Sequence, residues 1–433
     1  MTARAHVTRG SGIGSGKDAF RGKDVVTDSL LRPAAAKHMR DNGIDAWFTF
    51  HNPPHILNPA ALRLLRATGV QNLTAMVLAV IYPDKPPILI CSKLERKHYD
   101  YFEPLGEVIA ISTKDERDDA IRRATEGCRR IAAEHTPGMF VGGTSILPAA
   151  MLDWLRIMSS AEIVSSGDLL QAQVCVLTEQ ELASHVRAAE LLTRFVKEAF
   201  AFIGQEIRAG RKVTEYDVQH FLVTRFEQNN LECDHPPIVA VRENGADPHY
   251  APIEGGERLK EIQKGDLVLI DIWAKDKDPN AIYADLGWMG FVGSKAEFPV
   301  EYAMAFSTLV RARDAALIKM QEMFARGDPL VPQLIDRAAR EVIIAAGYPD
   351  YNMHSTGHSI TTIVHGEGVS ITGTSTSKGD DPRLVLPGTL SSDEPGIYIP
   401  GRYGMRIEAD VYVDPVLGPR ATCEIQREIV FIE

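Results

Sequence analysis

Asp271 closes an apolar run, Gly265-Asp-Leu-Val-Leu-Ile-Asp-Ile-Trp273, where a lone carboxylate loses much of its hydration unless it is paired or ligates a cation. Fourteen residues later, Asp285 sits in a second strand-like segment, Ile282-Tyr-Ala-Asp-Leu-Gly-Trp288. The polar stretch Lys275–Asn280 suits a turn between two strands, which would set both carboxylates side by side. Taken singly, each aspartate also reads as a strand-edge or turn residue. The segment His354-Ser-Thr-Gly-His358-Ser-Ile-Thr-Thr-Ile-Val-His365 then brings three imidazoles within twelve residues, interleaved with small side chains that suit the lining of a site. Glu394 stands in Asp393-Glu-Pro-Gly-Ile-Tyr398, just before a Pro-Gly break, and Glu408 lies in an apolar strand with Arg406 on the same face. Two aspartates, two glutamates and a histidine offer four anionic donors. That charge balances two divalent cations, and carboxylates that can bridge are what a two-metal hydrolytic site requires.

Hydrophobic spacing predicts the elements that must position these groups. From about Val25 to Leu170, apolar runs at Ala46–Phe50, Leu73–Ile81, Pro87–Cys91, Val108–Ile111, Met139–Val141 and Glu162–Val164 read as strands. They alternate with amphipathic stretches such as Asp115–Glu134, read as a helix, in the pattern of a small α/β domain. A linker is expected near Gln171–Leu177. Thr178-Glu-Gln-Glu181 is a capping box opening a helix whose apolar residues run from Leu182 to Ile203 and which ends at Gly210. Thr214-Glu-Tyr-Asp217 caps a second helix. Strands follow at Ile238–Val241, Leu267–Trp273, Ile282–Val292, Thr389–Tyr398, Met405–Val413 and Glu428–Ile432, around helices at Tyr302–Phe324 and Val331–Ala346. The expected division is an arm at 1–24, one domain at 25–172 and a second at 173–433.

At 433 residues the chain exceeds one ordinary core. Its five cysteines are scattered and never spaced as CxxC, which argues for a reducing compartment and against a structural zinc knot. A formal charge of −11 disfavours nucleic acid and anionic membranes as partners. No apolar run reaches the ~20 residues of a membrane span, and the first 25 residues hold no signal-peptide core. A cytoplasmic enzyme is the expectation. Gly10-Ser-Gly-Ile-Gly-Ser-Gly-Lys17 invites a phosphate-loop reading, but Ser11 stands where the first glycine belongs, Asp18 follows the lysine, and no strand precedes it. A flexible arm is the plainer account of Met1 to Asp24.

The order Asp, Asp, His, Glu-Pro-Gly-x-Tyr, Arg-Ile-Glu resembles that of the pita-bread metallopeptidases, the family of aminopeptidase P, prolidase and creatinase, over about Thr178–Glu433. The resemblance implies an α/β two-domain chain, with a creatinase-like N-terminal α/β domain before a C-terminal pita-bread α+β domain. It implies a dinuclear metal-dependent peptidase, an Xaa-Pro aminopeptidase or dipeptidase, in which a metal-bridging hydroxide attacks the scissile carbonyl. Asp271 would chelate one ion, Asp285 and Glu408 would bridge both, and His358 with Glu394 would complete the second. Glu394 would pass the proton to the leaving nitrogen. His249, in Asn244-Gly-Ala-Asp-Pro-His-Tyr250, would hydrogen-bond the substrate with His365, while His354 would shape the pocket and Arg406 would orient the ligand carboxylates from behind. Two divalent ions are implied, manganese foremost, with cobalt, iron or zinc as alternatives. The implied partners are a peptide or small amide substrate and a second copy of the chain in a homodimer.

Three departures bear on substrate choice. Gly287 stands where the family commonly has a hydroxyl residue supporting the bridging aspartate, and Ser359 and Thr361 replace glycines just after the ligand histidine. They leave open a metal-dependent hydrolase or lyase of a non-peptide small molecule, or an inactive binding protein on the same fold. His51 and His55, in a proline-rich loop of the first domain, are expected to help close the site across a homodimer, with an ordinary surface loop as the alternative.

Overall fold

The computed structural model describes residues 30–433 apart from 54, 57, 59–60, 62–63, 66–72, 138–140, 142–143, 353 and 374–380. The arm at 1–24 lies outside the described residues, as do Met139 and Phe140 of the strand expected at Met139–Val141. The fold is a two-domain mixed α/β arrangement, as the sequence implied.

The first half runs α1 (Pro33–Asp41), β1 (Ala46–His51), β2 (Val77–Ile81), β3 (Ile88–Ser92), β4 (Glu107–Ile111), α2 (Lys114–Ala124), β5 (Arg130–Ala133), α3 (Ala149–Met158), β6 (Glu162–Ser165) and α4 (Gly167–Val174). Its strands form one sheet in the order β4-β3-β2-β1-β5-β6, with β2 antiparallel to both neighbours and the other pairs parallel. Trp47, Ala79 and Leu89 pack on one face and Phe48, Val80 and Ile90 on the other. Burial on both faces is why these strands read as unbroken apolar runs.

Two expectations fail here. The helix expected over Asp115–Glu134 ends at Ala124, Gly127 turns the chain at φ +76°, and Arg130–Ala133 becomes the strand beside β1. Four residues between charged neighbours carry too little alternation to reveal a strand, and pairing on both sides decides it. The linker expected at Gln171–Leu177 is helical as far as Val174. Gln171 is buried there and binds across to the second half, donating to the Leu384 carbonyl (2.7 Å) and accepting from the Val369 amide (2.8 Å).

The second half opens with α5 (Glu179–Arg208) and α6 (Glu215–Gln228), each begun by the capping box read from sequence. Strands β7 (Leu231–Glu232), β8 (Ile238–Val241), β9 (Leu267–Asp276) and β10 (Ala284–Val292) follow, then α7 (Val300–Arg326) and α8 (Pro332–Ala345). The chain closes with β11 (Leu390–Asp393), β12 (Gly396–Ile399), β13 (Tyr403–Arg406), β14 (Ala409–Asp414), β15 (Gly418–Ala421) and β16 (Val430–Ile432). The segments expected as single strands at Thr389–Tyr398 and Met405–Val413 each break in two, at Glu394-Pro395 and at Ile407-Glu408. Both breaks fall at candidate ligands.

Alternation along β9 and β10 sorts two cores. Val268, Ile270, Ile272, Ala284, Leu286 and Trp288 face Leu192, Phe195 and Leu222 of α5 and α6. Leu267, Leu269, Met289 and Phe291 face Leu309 of α7, Ile335 of α8 and Met405 of β13. Burying each such side chain contributes about 1.5–3 kcal/mol, so the register of this hairpin is strongly specified. Asp271 and Asp285 fall on the second face. No helix among the described residues is long and apolar enough to cross a membrane.

Glu134, just past β5, has a fully buried carboxyl that accepts from Trp47 Nε1 (3.1 Å). Burial pushes its pKa from 4.5 up to about 7. Between those values the unfolded chain has released the proton and the folded chain has kept it, so stability falls as pH rises through this window. Glu134→Gln keeps the acceptor for Trp47 and is expected to stabilise the protein above pH 7 by about 2–3 kcal/mol, with no gain near pH 4. Urea unfolding of both proteins across this range checks it; a gain independent of pH would contradict the assignment.

Candidate metal centre

In the β9–β10 register Asp271 lies opposite Gly287 and Asp285 opposite Trp273, so the two carboxylates share one face one step apart along the diagonal. The break between β13 and β14 lays Glu408 across them: its amide donates to the Gly287 carbonyl (2.9 Å). Any Cβ at 287 would come within 3.0 Å of Glu408 Cβ, so glycine there permits this crossing. Asp285 is held through its backbone instead: Asp410 Oδ2 accepts the Asp285 amide (2.9 Å).

His358 is held from two sides. Its amide donates to Ser392 Oγ (3.0 Å). The preceding loop is tied to α8, where buried Asp336 accepts from Thr356 Oγ1 (2.8 Å) and its partner Arg340 donates to the His354 carbonyl (3.0 Å). The Glu394 amide donates to the Thr356 carbonyl (2.7 Å), which brings the fifth residue in. His358 Nδ1 lies 3.2 Å from the Ser359 carbonyl. A carbonyl can only accept, so Nδ1 carries the hydrogen, and in the neutral ring the Nε2 lone pair points inward, 3.6 Å from Asp285 Oδ2 and 3.5 Å from Glu394 Oε1.

A lone pair facing two carboxylate oxygens is repulsive unless a cation lies between them. Asp285, His358 and Glu408 offer donor atoms within 4.8 Å of one another, all buried. Asp271 Oδ1, Asp285 Oδ1 and Glu408 Oε1 are buried with no hydrogen-bond partner among the described residues. Burial first, then the charges of Asp271, Asp410 and Glu394, pushes Asp285 well above the usual carboxylate range, with Arg406 opposing. Burial, Asp285, Glu394 and Asp271 do the same to Glu408. These residues fit a divalent cation: oxygen-rich, thiolate-free and short of positive charge.

Arg406 is the positive group the site does supply. It forms a buried ion pair with Asp271 and donates through Nη1 to Tyr398 Oη (3.0 Å). Burial opposes its charge, but Asp271, Tyr398, Glu394 and Glu408 outweigh that and raise its pKa. Tyr398 Oη lies 2.7 Å from His354 Nε2, whose Nδ1 donates to the Ser355 carbonyl (2.8 Å) and lies 4.0 Å from Glu394 Oε2. Burial lowers the His354 pKa, which keeps the ring neutral in this chain of contacts. Tyr398 stood in the Glu-Pro-Gly-x-Tyr motif without a role, and Ser392 and Asp410 were not singled out from sequence. Beneath Asp410 lies fully buried His185, 3.9 Å away, its pKa pushed down to about 4 by burial.

The other sequence candidates fall at the rim. His365 is exposed, with its ring centroid 4.4 Å from that of His358. His249 is exposed and makes no side-chain contact with the carboxylates among the described residues. Its segment is nonetheless fixed near them: the Pro248 carbonyl accepts from Arg406 Nη1 (3.4 Å), and buried Glu215 accepts from Asn244 and Tyr250. Ser359 and Thr361 are buried, and Gly366 and Gly368 receive their bulk: a Cβ at 368 would overlap Ser359 Oγ. The added bulk of these residues is taken up inside the fold. His51 is no loop residue; it ends β1, buried, and accepts the Asn58 amide at Nδ1 (3.1 Å), which leaves only His55 exposed for a reach toward another subunit. A groove of about 1050 Å³ lined by Phe298, Met304, Val342 and Phe431 lies between α7 and α8, and none of the carboxylates borders it. Chemistry, not volume, locates the site.

The profile of metallopeptidase family M24 matches residues 184–415. A probable dipeptidase PepE of Mycobacterium bovis is 34% identical over 181 residues, a stretch that spans 41% of this chain and 41% of that relative's length. An Xaa-Pro dipeptidase of Pyrococcus furiosus is 29% identical over 271 residues, covering 62% of this chain and 69% of the relative. The crystal structure of dipeptidase PepE from Mycobacterium ulcerans superposes with a TM-score of 0.68 at 23% identity, over 92% of this chain and 96% of that one.

In the metal-free protein the buried carboxylates repel one another, so neutralising one should help the fold. Glu408→Gln is expected to raise the melting temperature of chelator-treated protein by roughly 2–4 °C at neutral pH, and to abolish the further rise that divalent ions give the unsubstituted chain. Thermal unfolding with and without metal checks both; a lowered metal-free melting temperature would contradict the repulsion argument.

Proposed function

This chain belongs to metallopeptidase family M24, and on that footing we propose that it cleaves the peptide bond between an N-terminal residue and proline, as an Xaa-Pro dipeptidase or aminopeptidase. The observation that carries this reading is the set of buried carboxylate oxygens without partners, converging with the His358 Nε2 lone pair. Asp271, Asp285, His358, Glu394 and Glu408 would hold two divalent ions, and Asp285 and Glu408 are the carboxylates that would serve both. Manganese suits an oxygen-rich set with one imidazole, and cobalt, iron or zinc are the other candidates. When bound, such ions acidify water and stabilise oxyanion charge.

The protein's own groups do the rest. Glu394 is less deeply buried than the other carboxylates and stands at the open side, where its Oε2 can take the proton of the attacking water and hand it to the leaving nitrogen. His365, its ring tilted against that of His358, is assigned to hydrogen-bond the scissile carbonyl together with exposed His249. Neutral His354, held by Tyr398, borders Glu394 and limits the space for the leaving residue. Arg406 pairs with Asp271 and holds its carboxylate in place. We further propose a cytoplasmic homodimer.

Metal-loaded protein is expected to hydrolyse Xaa-Pro dipeptides or longer Xaa-Pro peptides in preference to non-peptide amides. Glu394→Gln should lower kcat by about 10²–10⁴-fold. Hydrolysis of none of these substrates by metal-loaded protein would overturn the peptidase reading, and an unchanged kcat in Glu394→Gln would overturn the proton-transfer role.

A further inference from the structure

Strand β9 continues past Asp271 to Trp273, a residue that the chemistry above does not use. Alternation places Leu267, Leu269, Asp271 and Trp273 on one face, and the register sets Trp273 directly opposite Asp285. Opposed side chains in an antiparallel pair have Cβ atoms about 4.5–5.5 Å apart, so the indole stands beside the Asp285 carboxylate, one step farther out than Asp271.

Three further observations fix the ring. Nε1, its single polar atom, donates to Asp234 Oδ1 at 2.6 Å. It packs against the cluster that includes Tyr283, Ile360 and Val364, and the last two belong to the turn joining His358 to His365. It is nevertheless only partly buried, whereas every other residue from Leu267 to Lys275 is buried. A tryptophan with its donor engaged and one side packed offers what remains of its surface as a rigid apolar plane, and a substrate group resting on it orders no extra side chain. The group that holds the edge of the plane is acidic. Asp234 is kept ionised: its burial is outweighed by hydrogen bonds from Trp273 and His235, which lower its pKa.

We propose that Trp273 is a specificity-determining wall of the substrate cleft, selecting an apolar, preferably aromatic, side chain on the residue before proline and disfavouring an acidic one. This deepens the Xaa-Pro reading and rests on it, since proline occupies the other side of the scissile bond and the variable residue is left to meet the wall. An apolar side chain gains contact with the indole, and an aromatic one gains stacking besides. A carboxylate side chain gains neither contact nor stacking there and would meet the Asp234 carboxylate at the edge of the indole.

The test compares kcat/KM of the metal-loaded full chain on Phe-Pro, Leu-Pro, Ala-Pro and Asp-Pro for the unsubstituted protein, Trp273→Ala and Trp273→Phe. The unsubstituted protein should prefer Phe-Pro and Leu-Pro to Ala-Pro and reject Asp-Pro. Trp273→Ala should cut the Phe-Pro to Ala-Pro ratio by roughly 3–10-fold, and Trp273→Phe should restore most of it. If Trp273→Ala does not fold, judged by its thermal unfolding, the comparison passes to Trp273→Leu, which keeps the volume apolar and removes the ring. Equal loss on every substrate, or no change in the ratios, overturns the wall while leaving the peptidase reading in place. Absence of Xaa-Pro hydrolysis by the unsubstituted protein overturns both, and is recognised by that control alone.

Discussion

Buried like charge is the constraint on which the rest of the structure depends. Asp271, Asp285, Glu394 and Glu408 converge within one cleft floor, and three of them hold an oxygen with no partner among the described residues. Taking one ionised carboxylate out of water without compensation costs several kcal/mol even after relaxation, and neighbours of the same sign add to it. Among the described residues Arg406 is the guanidinium that engages Asp271, and it offsets the burden on Asp285 and Glu408 only in part. A fold carries such a burden where a cation repays it.

The surrounding architecture keeps the charges from escaping each other. The β9–β10 hairpin pins two of them through a register that buries a core on each face, so neither aspartate can rotate outward without unpacking the sheet. Glu408 and Glu394 sit at breaks between strands, where the backbone bends enough to aim a side chain across the sheet rather than along its pleat. Behind them, Asp410 grips the Asp285 backbone, and the Arg406–Tyr398–His354 chain spans the site from Asp271 to Glu394. Gln171, from the last helix of the first half, holds the Val369 amide, so the histidine loop is braced from both halves of the molecule. Ligand geometry here is a property of several elements at once.

Much of this was legible in the sequence because the candidate ligands sit in strong local patterns. An aspartate inside an apolar run, or a glutamate before Pro-Gly, announces itself without a partner, and capping boxes fixed the starts of α5 and α6 to the residue. What escaped depends on pairing over long separations. Strand β5 has four residues and owes its state to β1 and β6. Asp410 looks like any polar residue near a strand end until it meets Asp285, 125 positions earlier. His185 sits on the apolar face of α5, where its meaning comes only from Tyr283 and Thr422. Ser359 and Thr361 read from sequence only as replacements for glycine, because nothing local reveals that Gly366 and Gly368 lie against them. His51 was read as a loop residue because the prolines after it suggested one, but β2 pairs with it and extends β1 through that position.

The central claim is that these carboxylates exist to hold two cations, and anomalous X-ray diffraction from crystals grown with manganese tests it most directly. The account predicts two strong peaks: one contacted by Asp271, Asp285 and Glu408, the other by Asp285, His358, Glu394 and Glu408. Diffraction showing no ion among these residues at saturating manganese, with Arg406 still bound to Asp271 and the carboxylates protonated or water-bridged, would contradict it.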